Sequence, residues 1–264
     1  MNIENYPKIS IVTVSYNQCQ FIEENILSVI NQDYPNVEHI IIDAGSTDGT
    51  LEILKKYDKH LNWVSEPDKG QSDGLNKGFR KATGDIIGWI NSDDCLAPGA
   101  LKKVGNFFKE HPDEIAVTGD QAYIDEAGNQ QSIVKSKPYS YDYLVNHAIG
   151  VTQNSTFFRR LVFDKIGYLD ESLHYAMDHE LFIRIASLKE IPYIPETLAY
   201  FRIQEDAKTA KGRYYFSREL IKIRKKYNGS LMSPAIRTDY FYVAKEPLRR
   251  IKWLRNAVHK LIDD

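Results

Sequence analysis

Two cysteines in 264 residues, Cys19 and Cys95, are too few for a disulfide framework or a cysteine zinc site, and point to a reducing compartment. No apolar run approaches the roughly 18 residues a membrane-spanning helix needs. The opening MNIENYPK lacks the basic-then-apolar pattern of a secretory leader. No G-x-G-x-x-G follows the first apolar run, which removes the phosphate turn of a dinucleotide-dependent dehydrogenase. A net charge of −2 excludes a uniformly basic nucleic-acid binder. What these absences leave is a soluble globular chain, expected in the cytoplasm, with 42% hydrophobic and 27% charged residues. Its length accommodates one main domain and an addition. The charge is divided unevenly: from Lys211 onward 14 basic residues face 5 acidic ones, a net of +9, leaving −11 on the first 210.

The first half alternates two periodicities. ISIVTVSY (9–16) is short, apolar and β-branched, and in FIEENILSVINQ the residues Ile22, Ile26, Val29 and Ile30 recur at helical spacing. HIIIDAGSTDGT ends a second strand in Asp43 and leads, through a turn with Asp48 or Thr50 as cap, into the helix TLEILKKY. LNWVSE and DIIGWINS read as two further strands around the helix QSDGLNKGFRKATG, closed by Gly84, and PGALKKVGNFFKEHP as a helix with proline at its start and past its end. Strands buried on both faces with helices between them predict an open α/β sheet, whose ligands bind beyond the carboxyl ends of the strands.

Acids gather at that edge. A lone Asp after a strand is most often a cap or turn residue, the reading that suits Asp48. Asp43 and the pair Asp93–Asp94 place three carboxylates on one sheet edge, and adjacent like charges need solvent or a cation to compensate them. Mg²⁺ or Mn²⁺, held by one or two carboxylates and completed by phosphate oxygens, is a natural compensator. In MDHELFIRIA, Leu181, Ile185 and Leu188 line one helical face and put Asp178 at the helix start, where a carboxylate also serves as a cap.

Three stretches in fixed order, ISIVTVSYNQCQFIEENILSVINQDYPNVEHIIIDAGSTDGT, EPDKGQSDGLNKGFRKATGDIIGWINSDD and TFFRRLVFDKIGYLDESLHYAMDHELFIRIA, resemble the family 2 glycosyltransferases from about Lys8 to Arg202. The resemblance implies a GT-A fold, a single Rossmann-like open mixed sheet flanked by helices, over residues 1–210; residues 211–264, which the charge division sets apart and the resemblance explains least, are expected as a basic, mainly helical C-terminal extension. It implies an inverting transfer of sugar from a nucleotide-sugar, a UDP-sugar first among them, to a hydroxyl of a glycan or lipid-linked acceptor in bacterial cell-surface polysaccharide synthesis. Carried over residue by residue, Thr13, Ser15, Tyr16 and Asp43 would hold the nucleoside. Asp68, Lys69, Gly70 and Ser72 would lie along the nucleotide and donor sugar, with Asn91 and Ser92 beside them. The family's acid–any–acid metal motif falls on Asn91-Ser92-Asp93, so the first carboxylate is missing, Asp93 becomes the main ligand for Mn²⁺ or Mg²⁺ and Asp94 a helper. Asp178 corresponds to the general base, with Glu180 as runner-up. Gln153 is set near the acceptor or donor sugar, against an equal reading as a buried amide. Gln204 stands where many relatives carry histidine, leaving Arg202 and Lys208 to pair with phosphate. The missing first acid also keeps open a catalytically silent, sugar-nucleotide-binding relative that supports a partner enzyme.

In EPLRRIKWLRNAVHKLIDD an apolar stripe runs from Leu248 to Ile262, with Arg249, Arg250, Lys252 and Lys260 largely off it. Two expectations compete for it: a helix docked on the domain or in a homodimer, or a peripheral helix at the inner membrane face with Trp253 at the interface. Nucleic acid is not expected, since no groove-reading motif accompanies the patch.

Overall fold

A computed structural model describes residues 6–204 and 212–249. The predicted alternation is present as β1 (Ile9–Ser15), α1 (Ile22–Ile30), β2 (Val37–Asp43), α2 (Thr50–Lys56), β3 (Asn62–Ser65), α3 (Gln71–Lys81) and β4 (Ile86–Trp89). β1 is parallel to both β2 and β4, and β2 to β3. The chain therefore winds one way from β1 through β2 to β3 and then crosses to the other side for β4. That reversal puts a topological switch point between the carboxyl ends of β1 and β4, where such sheets open a crevice.

Past β4 the sheet becomes mixed. β5 (Cys95–Leu96), α4 (Ala100–Glu110), β6 (Ala116–Ile124), β7 (Gln130–Val134), α5 (Tyr141–Asn146), β8 (Thr156–Arg159), α6 (Val162–Ile166), α7 (Met177–Leu188) and β9 (Tyr193–Arg202) follow in order. β8 lies antiparallel between β4 and β6, and β6 pairs in parallel with β9. The strand order is β3-β2-β1-β4-β8-β6-β9-β5, with β7 beside β6.

Period-two alternation divides the buried side chains between the two faces. Val12, Ile87 and Trp89 join Leu75, Phe79, Phe158 and Leu181 in one cluster, while Ile9, Ile11, Ile86 and Ile90 join Val104, Phe108 and Phe157 in another. A fully buried side chain of this size contributes about 1.5–3 kcal/mol, so each face holds its helices firmly. α3 approaches β1 most closely at Gly78, where a Cβ would stand 2.4 Å from Val12 Cγ1. Asp48 does cap: its Oδ1 accepts from the Thr50 backbone N–H and hydroxyl, and its Oδ2 from the Cys19 N–H. Gly84 does not close α3, which ends at Lys81; its N–H instead meets Ser10 Oγ at 2.8 Å.

Two helices, α8 (Arg213–Lys226) and α9 (Pro234–Arg249), come after. Leu220 and Ile223 of α8 enter the same core as α7. The wholly buried Arg224 donates to the carbonyls of Leu144, Val145 and Ala148 and pairs with Asp239 at 3.0 Å, fastening both helices to the end of α5. Nearly all of the stripe predicted over 248–262 lies outside the described residues, and so does Lys208.

Candidate functional site

The crevice at the switch point is an open cleft of about 1050 Å³. Val14, Ser15 and Tyr16 at the end of β1, Ala44 after β2, and Trp89, Asn91, Ser92 and Asp93 at the end of β4 form its floor, Ile90 of that run being buried away from it. Pro67, Asp68, Gly70 and Gln71 form one wall, and Gln153 and Asn154 before β8 another. The rest of the lining includes His174, Tyr175, Met177 and Asp178 around the start of α7, together with Arg213 and Phe216 of α8. The volume is at the upper end for small-molecule pockets, enough for a nucleotide-sized ligand and a second group.

The loop bearing the acids is fixed from behind. Asn25 of α1, fully buried, donates from its side-chain amide to the carbonyls of Asn91 and Asp94 at 2.9 and 2.8 Å. Arg202 at the end of β9 donates to the carbonyls of Asp93, Asp125 and Glu126 and pairs with Glu24. This clamp turns the two adjacent acids in different directions. Asp93 lines the cleft, where its Oδ2 accepts from Gln204 Nε2 at 2.6 Å. Asp94 is buried: Oδ1 accepts the Arg202 N–H at 3.0 Å and Oδ2 faces the Asn154 amide at 3.3 Å. Burial raises the proton affinity of Asp93, and burial together with the neighbouring Asp93 charge raises that of Asp94 well above the usual carboxylate range. Asn91 presents Oδ1 to Gln71 Nε2 and Trp89 Nε1, and Gln153 donates to the Trp89 carbonyl.

The backbone ahead of α7 is bonded from another helix. The Glu219 carboxylate of α8 accepts the N–H groups of His174, Tyr175 and Ala176 at 2.8–2.9 Å. Glu219 and Asp178 share the helix start: Asp178, in the first turn, accepts the His179 N–H through Oδ1 at 2.7 Å and also lines the cleft. Glu180, two residues on, is turned the other way. It is buried and bound to Arg184 at 2.8 Å, Lys226 at 3.0 Å and the Tyr227 hydroxyl. Burial raises and these partners lower its proton affinity, with a net lowering, so it is a fixed anion outside the cleft lining.

Of the residues proposed from sequence, Ser15, Tyr16, Asp68, Gly70, Asn91, Ser92, Asp93, Gln153 and Asp178 come together in this cleft. Besides Glu180, six others stand apart from it. Thr13 is buried against His39 at 3.0 Å. Asp43 is fully buried and accepts from Gly45, Ser46 and Ser65, so it shapes the loop while its neighbour Ala44 meets the cleft. Lys69 is exposed outside the lining, and Ser72 is buried and donates to the Leu173 carbonyl. Asp94 faces inward, which removes it as a ligand from the cleft side. Arg202 has its guanidinium engaged by carbonyls and Glu24, which removes it as a phosphate contact. Sequence reasoning missed Gln71, His174, Tyr175, Arg213 and Phe216. Only the helical spacing of Phe216 and Leu220, and the basic surplus after residue 210, hinted that α8 contributes to the site.

An open mixed sheet with a cleft at its switch point, lined by one acid at the end of β4 and another at a helix start, defines the GT-A architecture of nucleotide-sugar transferases. S. aureus TarS 1-349 in complex with UDP-GlcNAc superposes with a TM-score of 0.67 at 22% identity, covering 94% of this chain and 74% of that one. The mannosyltransferase PcManGT of Pyrobaculum calidifontis, in complex with GDP-Man and Mn²⁺, gives 0.63 at 18% identity, covering 98% and 76%. The chain belongs to glycosyl transferase family 2, whose profile matches residues 10–191. An uncharacterized glycosyltransferase of Haemophilus influenzae is 37% identical over 145 residues, 53% of this chain and 57% of the relative. Chondroitin synthase of Escherichia coli is 27% identical over 212 residues, 79% of this chain and 30% of the synthase. The chain thus spans little more than half of the first relative and under a third of the second.

The donor set suits a weakly held divalent cation. Asp93 is a partly buried carboxylate in the cleft, and the guanidinium nearest to it, that of Arg202, is bonded to carbonyls and Glu24. Among the described residues no group of three or more His, Cys, Asp or Glu forms a closed cage. One carboxylate with phosphate oxygens completing the shell is the pattern that Mg²⁺ and Mn²⁺ accept.

Proposed function

We propose that the protein is an inverting glycosyltransferase that moves a sugar from a nucleotide-sugar to a hydroxyl of a glycan or lipid-linked acceptor. The observation that carries this reading is that Asp93, at the end of β4, and Asp178, at the start of α7, line one cleft. Ser15, Tyr16 and Asp68 bind and orient the nucleotide end. When bound beside Asp93, a divalent ion neutralises charge that builds on the departing diphosphate. Asp178 accepts the acceptor's hydroxyl proton as the new carbon–oxygen bond forms on the face opposite the breaking bond to phosphate. A carboxylate needs only to lie within about 3 Å of that hydroxyl to act so. Nucleoside diphosphate, the glycosylated acceptor and a protonated Asp178 result.

A UDP-sugar is the first donor to try, since TarS was solved with UDP-GlcNAc, and GDP-mannose the second, after PcManGT. The chondroitin synthase relative supports a polysaccharide acceptor. No described helix is long and apolar enough to cross a membrane.

The test is release of nucleoside diphosphate from a panel of UDP-, GDP- and dTDP-sugars with Mn²⁺ or Mg²⁺. Slow release from one donor, accelerated by an acceptor glycan, is expected. Tight binding of a donor with no release or transfer under any condition would instead mark the silent, partner-supporting relative.

A further inference from the structure

Among the described residues, several strongly exposed apolar side chains lie away from the cleft floor, on the turn between α8 and α9 and on α9 itself. Met232 is 69% exposed, Leu231 60% and Phe241 59%, with Tyr240 beside them. On α9, Arg237, Tyr240, Phe241 and Ala244 fall at positions i, i+3, i+4 and i+7, one outward stripe, while Ala235, Ile236 and Asp239 are buried on the opposite side. An exposed stripe of this kind marks an interaction surface.

Among the described side chains its exposed charge is of one sign. Between residues 212 and 245 the two acids are both turned inward: Glu219 caps the backbone ahead of α7, and Asp239 is paired with Arg224. Arg218, Lys222, Lys225 and Arg237 remain exposed. The Lys245 ammonium lies 5.3 Å from the Phe241 ring centre, beside an apolar surface that it does not cover. A symmetric dimer through this stripe would set the same cations against one another.

The surface also connects to the cleft. Ile149, 49% exposed, lines the cleft rim, and the next residue back, Ala148, is held by Arg224. Asn146 accepts the Ser230 N–H at 2.8 Å, and Leu231 and Met232 follow directly. Rim and stripe are thus parts of one rigid assembly of α5, α8 and α9.

We propose that the stripe formed by Leu231, Met232 and the outer face of α9 is a docking surface for an anionic lipid bilayer. Aromatic and aliphatic side chains enter the headgroup boundary, and the exposed Lys and Arg meet the anionic headgroups. The cleft rim at Ile149 is then held close to the bilayer, where a lipid-linked hydroxyl would be presented. The docking itself does not depend on the transfer reading, because vesicles alone report it.

The full chain is sedimented with phosphatidylcholine vesicles with and without phosphatidylserine. Binding at least about tenfold stronger to the anionic vesicles is expected, as several cations near an anionic surface supply. Leu231→Ser, Met232→Ser and Phe241→Ser combined should lower binding by about tenfold or more, with the melting temperature kept within a few degrees because all three are exposed. Lys222→Gln, Lys225→Gln and Arg237→Gln combined should remove the preference for phosphatidylserine. Equal binding to both vesicle types overturns the proposal, as does a triple apolar variant that binds like wild type, which would move lipid contact to another segment. Absence of vesicle binding, with a concentration-dependent mass that Phe241→Ser abolishes, also overturns it in favour of a contact between copies.

Discussion

Two histidines make the fold acid-sensitive well above the range in which carboxylates titrate. His39 on β2 and His179 on α7 are both fully buried. Burial holds the His39 imidazole down at about 3. Burial and the neighbouring Arg224 cation hold His179 down at about 4, against a hydrogen bond to the Leu144 carbonyl that pulls it up. Both fold as neutral rings, so the unfolded chain binds more protons below pH 6.5 and stability falls as pH falls. Between pH 7.5 and 5 each ring forfeits about 2 kcal/mol, about 4 kcal/mol together, from ordinary linkage. Asp94 works in the opposite direction, since its raised proton affinity favours the folded state as pH drops. The histidine contribution is therefore read as a difference. Urea unfolding of wild type and His179→Gln at pH 7.5 and 5 should show the variant losing about 2 kcal/mol less over that interval. Glutamine can still donate to the Leu144 carbonyl. An identical pH loss in both proteins would refute the assignment of a neutral buried His179.

Further perturbations test the clamp and the ion site. Arg202→Gln removes donors from three backbone carbonyls, each worth about 1–3 kcal/mol, so a loss of about 3 kcal/mol or more is expected by urea denaturation; a loss under about 1 kcal/mol would show that the clamp is dispensable. Asp93→Ala should reduce Mn²⁺-dependent UDP affinity about tenfold or more, while Asn91→Asp, which restores a second acid, should tighten it. Calorimetry giving equal UDP affinity with Mn²⁺ and with chelator, for wild type and both variants, would contradict a metal at Asp93. Lower still in pH, Glu38 is the next carboxylate to matter. Burial raises its proton affinity, but hydrogen bonds from Ser10, Lys8 and Thr83 outweigh it and hold the carboxyl at about 2. Its contribution is complete above pH 4.5 and lost as pH falls towards 2, and Glu38→Gln should flatten acid unfolding in that window.

Periodicity carried the architecture further than it carried the site. Each of the first four strands was legible because short β-branched runs alternate with helical spacing, and the edge where ligands bind followed from strand direction. Which side chains turn into the cleft was not legible, because that depends on partners distant in sequence. Asp93 and Asp94 are neighbours, yet the Arg202 and Asn25 clamp sends one to the cleft and the other into the protein. Asp178 and Glu180 differ by two positions on one helix, and Lys226 and Tyr227 of α8 draw the second away. Asp43 looked like a ligand because it ends a strand, but three loop donors claim it. Arg213 and Phe216 reach the cleft from a helix that the sequence set outside the main domain, since packing between α8 and α7 leaves no local trace.

Asp178 as the base is the claim on which the account turns, and one substitution isolates it. Asp178→Asn keeps side-chain size and an acceptor oxygen, and Glu219 continues to cap the preceding backbone. Donor binding and folding should therefore persist while sugar transfer, measured with the donor that the panel identifies, falls by roughly 10² or more. Unchanged calorimetric affinity for UDP together with that loss of transfer is the expected result. A variant that transfers sugar at nearly the wild-type rate would contradict it.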